Sequence, residues 1–486
     1  MSQPAAPRPL VVVGDIMLDV DVDGRVDRLS PEAPVPVLTD ATGRRRPGGA
    51  ALAALLAARQ HPRVVLLTAL ADDDAARSVT ALLAGHVEVI GLPWAGSTPV
   101  KTRLRAGNHF FARLDSGGVG GALGAVPAAG HAAVMWAAAI LVADYGGGVT
   151  ADPDIRSLLA GRARRVPVVW DPHPRGAQPV AGCRLVTPNE REAAEAVAEH
   201  PGGSFTAVCA QANALRERWS VGAVAVTRGA GGALLAHPVG APLVVPAPPV
   251  VAHDTCGAGD AFAAAATVAF ARGAVPDEAV TFAVQAAARF VADGAATALD
   301  AYQGAPLDLC RRVPSEPRRG VPAGETAGGG ADPARAIHSA RQLIARVRAG
   351  GGRVVATGGC FDLLHAGHIA TLQAARALGD CLVVCLNSDE SVRRRKGPDR
   401  PLQAQQDRAA ILAALRTVDA VVVFEQDTPE GILAELRPDV WVKGGDYAGA
   451  VLPEAAVLAG WGGEVVTVSY LPGYSTSELV NSARHR

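Results

Sequence analysis

Aromatic side chains are scarce: Phe, Trp and Tyr together supply 4% of the 486 residues. Ala and Gly are abundant and Arg outnumbers Lys, a bias of GC-rich coding that says nothing of function. It does forecast Ala-rich helices packed closely in thin α/β layers. An excess of one charge is also missing. A formal net charge of -1 leaves no electrostatic footprint for nucleic acid, so anionic ligands must be held by local sites. Long hydrophobic runs are absent too; Ala132 to Val142 is too short to span a bilayer, and no membrane partner is expected. Met1 to Pro9 lacks the charged-then-apolar pattern of an export signal. The seven cysteines are odd in number and contain no C-x-x-C pair, Cys381 and Cys385 being nearest neighbours. These absences point to free thiols in a reducing cytoplasm. With 49% hydrophobic and 19% charged residues, the chain is neither disordered nor membrane-embedded, and its length calls for two or three domains.

Short apolar runs at Leu10–Gly14, Val64–Thr68, Ala139–Ala143, Val166–Trp170 and Ala223–Thr227 read as buried strands. Helical stretches at Ala50–Arg59, Ala193–Glu199 and Ala207–Trp219 separate them, as βαβ units and a parallel sheet require. From Pro314 to Pro333 the chain is rich in Pro, Gly and Ser without apolar periodicity, which marks a flexible linker. A helix is expected at Ala334–Arg348, then strands at Val354–Thr357, Cys381–Leu386, Ala420–Phe424, Val440–Lys443 and Glu464–Tyr470. The expected organisation is therefore 1–313, a linker at 314–333, and a second α/β domain at 334–486.

The first chemical signal is Asp254-Thr255-Cys256-Gly257-Ala258-Gly259-Asp260 before an Ala-rich helix. Gly257 and Gly259 let the backbone turn tightly, so amides at Gly257, Ala258 and Gly259 can form an anion hole for a transferring phosphoryl group. Asp260 stands where a carboxylate can take the proton of an attacking hydroxyl. The string resembles the signature of the ribokinase (PfkB) carbohydrate-kinase family. That resemblance implies a doubly wound sheet with a small β-lid, and dimerisation through lid strands drawn from Val20–Val37 and Val100–Leu114. It implies that Asn189 and Glu192 in Asn189-Glu190-Arg191-Glu192 organise Mg²⁺ largely through water. Thr227, Gly229 and Gly232 would lie under the nucleotide, and Gly48 and Gly49 beside the sugar. Gly14-Asp15-Ile16-Met17-Leu18-Asp19 and Ser30-Pro31-Glu32-Ala33-Pro34 are similar to heptose 7-phosphate kinases. By that likeness Asp15 and Asp19 bind sugar hydroxyls, while Lys101, Arg103 and Arg113 take the phosphate the sugar already carries. Three positions depart from that group: Leu52 replaces Asn, Gly147 replaces Lys, and His173 replaces Lys.

The second signal is Thr357-Gly358-Gly359-Cys360-Phe361-Asp362-Leu363-Leu364-His365-Ala366-Gly367-His368. A strand, a glycine turn and a helix opening on His-x-Gly-His gather imidazoles and helix-end amides around one anion. His365 and His368 can donate to phosphate oxygens as charge builds on an attacked α-phosphorus. A sugar phosphate is its own nucleophile, so none is needed from the protein. The motif resembles the cytidylyltransferase-like nucleotidyltransferases, here a Rossmann-like domain. By resemblance Phe361 contacts the nucleotide, Lys396 neutralises phosphate, and Ser475 and Thr476 hold the β- and γ-phosphates. Gly358 stands where Asn is common. Kinase, linker and transferase in this order resemble the bifunctional heptose 7-phosphate kinase/heptose 1-phosphate adenylyltransferase family. Sugar phosphates and ATP are the implied substrates, ATP serving both heads, with a separate phosphatase acting between the two steps. Two alternatives stay open at this stage: another sugar or polyol phosphate, or a nucleotide-binding regulator whose catalysis has decayed.

Overall fold

The computed structural model describes residues 7–33, 35–106, 109–118, 120–197, 205–238, 240–252, 254–299, 333–444 and 452–468. The chain forms two compact units. One comprises Met1–Gly202, Gln211–Arg228 and Ala247–Arg311; the other comprises Gly203–Ala210, Gly229–Pro246 and Arg312–Arg486.

In the first unit a parallel sheet is built from β1 (Leu10–Gly14), β4 (Val64–Leu70), β5 (Glu88–Pro93), β8 (Ala139–Ala143), β9 (Val168–Asp171), β10 (Leu185–Val186) and β11 (Val224–Thr227). Every residue of β1 and β8 is buried, because helices cover both faces and leave no solvent side for alternation. The helix Ala258–Ala271 is buried from Asp260 to Phe270, and its run of alanines lets it lie close to the sheet. Strand order is β11-β10-β9-β8-β1-β4-β5. The chain winds outward from β1 to β5, then returns to wind the other way from β8, so the switch point lies between β1 and β8. Such sheets bind ligands at the carboxyl ends of the strands flanking that point. A separate four-stranded lid has the order β3-β2-β6-β7, from β2 (Ile16–Leu29), β3 (Pro36–Gly49), β6 (Val100–Ala106) and β7 (His109–Ser116).

The second unit includes the antiparallel pair β12 (Ala233–Ala236) and β13 (Leu243–Val245). Its main parallel strands are β14 (Val354–Gly359), β15 (Cys381–Asn387), β16 (Ala420–Phe424), β17 (Val440–Gly444) and β18 (Glu464–Val468), ordered β16-β15-β14-β17-β18. Its switch point lies between β14 and β17. The expected helix after the linker is present as Pro333–Ala349, with Ala340 and Ile344 buried against the strands. The helix expected from Ala193 starts earlier, at Glu190, because Asn189 and Glu192 form a reciprocal capping box. Of the expected linker, 314–332 lies outside the described residues, as do Ser475 and Thr476.

Candidate active sites

At the switch point of the first unit, the carboxyl ends of β1 and β8 bring Asp15 and Tyr145 beside Asp260 in the first turn of Ala258–Ala271. The Tyr145 hydroxyl donates to Asp260 Oδ1 at 2.5 Å, and Lys101 on β6 places its ammonium 5.9 Å from the Tyr145 ring centroid. Burial pushes the Asp260 carboxyl up to about 7; the Tyr145 hydrogen bond opposes this, Asp19 reinforces it and Lys101 opposes it. Tyr145 is held well above its ordinary range, by burial first and then by Asp260 and Asp171, and so remains a donor. Asp260 thus sits poised between acid and base near neutrality.

Asp15 is buried and its oxygens accept three backbone amides, from Tyr145 (3.1 Å), Gly147 (2.9 Å) and Val149 (3.0 Å). It clamps the loop that carries Tyr145. A Cβ at Gly147 would stand 2.8 Å from the Asp15 carboxyl carbon, which explains glycine where a lysine is common. Gly48 and Gly49 are needed for the same reason: side chains there would meet the Asp19 carboxylate at 2.8 Å and the Asp15 carbonyl oxygen at 2.5 Å. Asp19 Oδ1 accepts from Arg103 at 2.8 Å. Buried Arg46 lies 3.6 Å from the other Asp19 oxygen and donates to Asp21 Oδ2 at 2.6 Å. Arg46 and Arg103 both approach the Cys256 sulfur, at 3.9 and 3.7 Å. Lys101 and Arg103 therefore converge on Asp19 and Tyr145, whereas Arg113 lies exposed on β7 paired with Asp115 at 2.9 Å.

Gly257 adopts the left-handed region (φ 84°) as the N-cap of its helix, and a Cβ there would meet Leu52 at 2.8 Å. Leu52 thus packs beneath the glycine turn, where an apolar side chain fits. The Ala258 amide donates to Thr255 O at 3.1 Å, while a Cβ built at Gly259 meets only open space. Asn189 Oδ1 accepts from the Glu192 amide and Glu192 Oε2 from the Asn189 amide, both at 2.9 Å. Asp171 at the end of β9 accepts from Thr187 at 2.7 Å. Burial, then Asp260, Glu192 and Asp144, hold its carboxyl well above the usual range. Thr227 ends β11; Gly229 (φ 54°) and Gly232 (φ 82°) bracket the turn that follows.

In the second unit a cavity of about 430 Å³ opens at the β14/β17 switch point, lined among others by Gly359, Phe361, His368, Lys396, Trp441, Lys443 and Glu454. The His365 and His368 rings stack with centroids 3.8 Å apart. Burial, then the neighbouring His365, depress His368 to about 4, and burial lowers His365 as well, so both rings favour the neutral form, in which one ring nitrogen carries a hydrogen. The Phe361 ring lies 5.2 Å from that of His368, and its backbone is left-handed (φ 43°), a strained position that turns the chain out of β14. Asp362 accepts the amides of Leu402 (2.6 Å) and Gln403 (3.1 Å). Fully buried Arg408 donates to Cys360 O (2.5 Å), Asn387 O (3.0 Å) and Asp389 (2.7 Å), tying the carboxyl ends of β14 and β15 together.

Residues 158–300 match the description "pfkB family carbohydrate kinase", and residues 356–478 match "Cytidylyltransferase-like". The bifunctional protein HldE of Streptomyces coelicolor is 50% identical over 99% of both chains. The chain belongs to the HldE family of bifunctional proteins. HldE of Azorhizobium caulinodans is 39% identical over 98% of each chain, and HldE of Hahella chejuensis is 36% identical over 98% of this chain and 96% of its own. Among solved structures, Arabidopsis thaliana ribokinase complexed with ribose and ATP covers 60% of this chain and 95% of its own, at 21% identity and a TM-score of 0.48. Family membership makes the chain a carbohydrate kinase and a nucleotidyltransferase in one polypeptide, the ribokinase-like fold first and the Rossmann-like fold second.

Several site neighbours escaped the sequence reading of this HldE-family chain. Arg408 and Glu454 stand in no Gly- or His-marked motif, while Arg46, Tyr145, Asp171 and Trp441 adjoin such strings without being singled out by them. For Tyr145 the adjoining Asp144 and the glycines 146–148 were the available signal: a strand end followed by a glycine run. Among the described residues no helix is long and apolar enough to cross a membrane.

Proposed function

We propose that the first unit, within 1–313, transfers the γ-phosphoryl group of ATP to the anomeric hydroxyl of D-glycero-β-D-manno-heptose 7-phosphate. Asp260 takes the hydroxyl proton as the oxygen attacks phosphorus, ADP leaves, and the Gly257–Gly259 turn faces the transferring charge. Asp15 and Asp19 border the sugar, Lys101 and Arg103 supply cations for its 7-phosphate, and Thr227 supports the nucleotide. The segment 334–486 beyond the linker joins heptose 1-phosphate to AMP from ATP. The phosphate oxygen attacks the α-phosphorus, pyrophosphate departs, and ADP-heptose forms. His365 and His368 donate to the α-phosphate, Phe361 packs on the nucleotide, Lys396 offsets phosphate charge, and Ser475 and Thr476 bind the β- and γ-phosphates.

Supporting this reading most directly is the buried Asp260 carboxylate, brought to about 7 at the head of a glycine turn. Among the described residues no cluster of three or more His, Cys, Asp or Glu side chains is arranged to hold a metal directly. The crowded carboxylates Asp171, Glu192 and Asp260 nonetheless fit a hydrated Mg²⁺, which keeps several waters, with Asn189 as a further oxygen donor. When bound, Mg²⁺ would neutralise nucleotide phosphate charge. The product of the first head carries two phosphates and that accepted by the second carries one, so a separate phosphatase acts between them. The enzyme is read as cytoplasmic and as a homodimer through its lid.

Mass spectrometry of products from ATP with heptose 7-phosphate, and separately with heptose 1-phosphate, tests the assignment. Asp260→Asn should abolish the bisphosphate and spare ADP-heptose, while His368→Ala should do the reverse. Loss of both products from either single change, in folded protein, refutes two independent sites.

A further inference from the structure

The buried polar atoms that line the second unit's cavity and lack a hydrogen-bond partner among the described residues include one on Glu454 and one on Trp441. Glu454, 5% exposed, lines it; Oε1 accepts from Lys443 Nζ at 2.8 Å, but Oε2 has no hydrogen-bond partner among the described residues. Trp441, 2% exposed, lines the same cavity, and its indole N–H likewise lacks a described partner. Trp441 and Lys443 are two apart on β17, so strand alternation sends both to one face. A Cβ at Gly358 would lie 2.5 Å from the indole edge, so glycine at 358 is what allows a tryptophan at 441. Ring and glycine form one steric unit in the cavity wall.

A buried acceptor without a donor costs about 1–3 kcal/mol, more when charged, and folding rarely leaves such a loss in place without a use. An ionised carboxylate only accepts and an indole N–H only donates. Phosphate oxygens cannot satisfy Glu454, because like charges repel. Hydroxyl groups suit both atoms, being donor and acceptor at once. Lys443 fixes the first carboxylate oxygen and so aims the second.

Resting on the nucleotidyltransferase reading above, we propose that Glu454 is a specificity-determining residue of the second head, accepting a hydrogen bond from a substrate hydroxyl. Two sources share that chemistry, the ribose of the nucleotide and the ring of the sugar phosphate.

Titration calorimetry on the full chain distinguishes them, using ATP, 2′-deoxy-ATP, 3′-deoxy-ATP and heptose 1-phosphate. The first-head ATP site is unchanged and acts as a folding control. Glu454→Gln should weaken second-site binding of either ATP or heptose 1-phosphate at least tenfold. If the ribose is the partner, one deoxy-ATP binds wild type with the same loss and Glu454→Gln with no further loss. If the sugar is the partner, all three nucleotides keep wild-type affinity and only heptose 1-phosphate weakens. Should the amide unfold the head, Glu454→Asp keeps the charge beside Lys443 while withdrawing the free oxygen, and must show the same loss. Affinities for ATP and heptose 1-phosphate within twofold of wild type overturn the inference. Absence of any transfer product from wild type would instead sink the reading of the head, a separate outcome that leaves the binding comparison valid.

Discussion

Replacing Tyr145 with phenylalanine removes one hydroxyl and should move the pH dependence of the kinase upward. The phenol donates to Asp260 at 2.5 Å and favours the ionised carboxylate, against the burial that raises the group to about 7. Asp19 also raises Asp260, while Lys101 lowers it; the substitution leaves both in place. A hydrogen bond to a charged group contributes about 1.5–3 kcal/mol, or about 1–2 pH units of displacement. A general base works only when ionised, so activity rises with pH through this value. The acid limb of kcat/KM, which reports free enzyme, should therefore shift from about 7 to about 8–9. At pH 7 the ionised fraction falls from about one half to between about one tenth and one hundredth, a loss of about 5- to 50-fold that alkaline buffer restores. The assay is initial-rate ADP release with heptose 7-phosphate across pH 5.5 to about 9.5, a window that spans both expected limbs. A limb that stays put or moves to lower pH refutes the role given to Tyr145, as does a loss that alkaline pH leaves unrepaired.

Asp260→Asn should stabilise the kinase unit while silencing it. A carboxyl raised from its ordinary 3.8 to about 7 stabilises the fold fully only below its unfolded value, and that contribution is lost as pH rises through the folded one. The variant's melting advantage should therefore grow from about pH 4 to about pH 8 and then level off, at no more than about 4 kcal/mol; no growth contradicts the burial argument. Gly147→Lys should cost about 1–3 kcal/mol in denaturant unfolding, because its Cβ meets the Asp15 carboxyl at 2.8 Å. Unchanged stability would show that the loop yields. Arg408→Leu strands three carbonyls and the Asp389 carboxylate, and should cost the second unit about 3–5 kcal/mol, read as an earlier loss of transferase activity than of kinase activity on heating.

Continuous apolar runs such as Leu10–Gly14 and Cys381–Asn387 announced the parallel strands, since a strand covered on both faces must be apolar throughout. Asp260 and His368 were legible because each falls in the first turn of a helix inside a short glycine-containing string. Tyr145 was not, because its partner is 115 residues away and the glycine run beside it marks a strand end without naming that partner. Arg408 looks like any helical surface arginine in sequence, yet folding buries it completely to tie two strand ends together. The departures at Leu52, Gly147 and Gly358 read as missing polar groups along the chain. In three dimensions each proves to be a packing choice, against Gly257, Asp15 and Trp441 respectively.

Two α/β units, the carboxylate at a glycine turn and the paired histidines at a helix start were settled by the order of residues, because local backbone and hydrophobic period suffice to specify them. Protonation and aim were decided only by tertiary structure. Burial brings Asp260 to about 7 and His368 to about 4, and neighbours complete their settings, the sequence-distant Tyr145 on one and the stacked His365 on the other. Electrostatic energies depend on separation in space and on exclusion of water, and neither quantity is written along the chain.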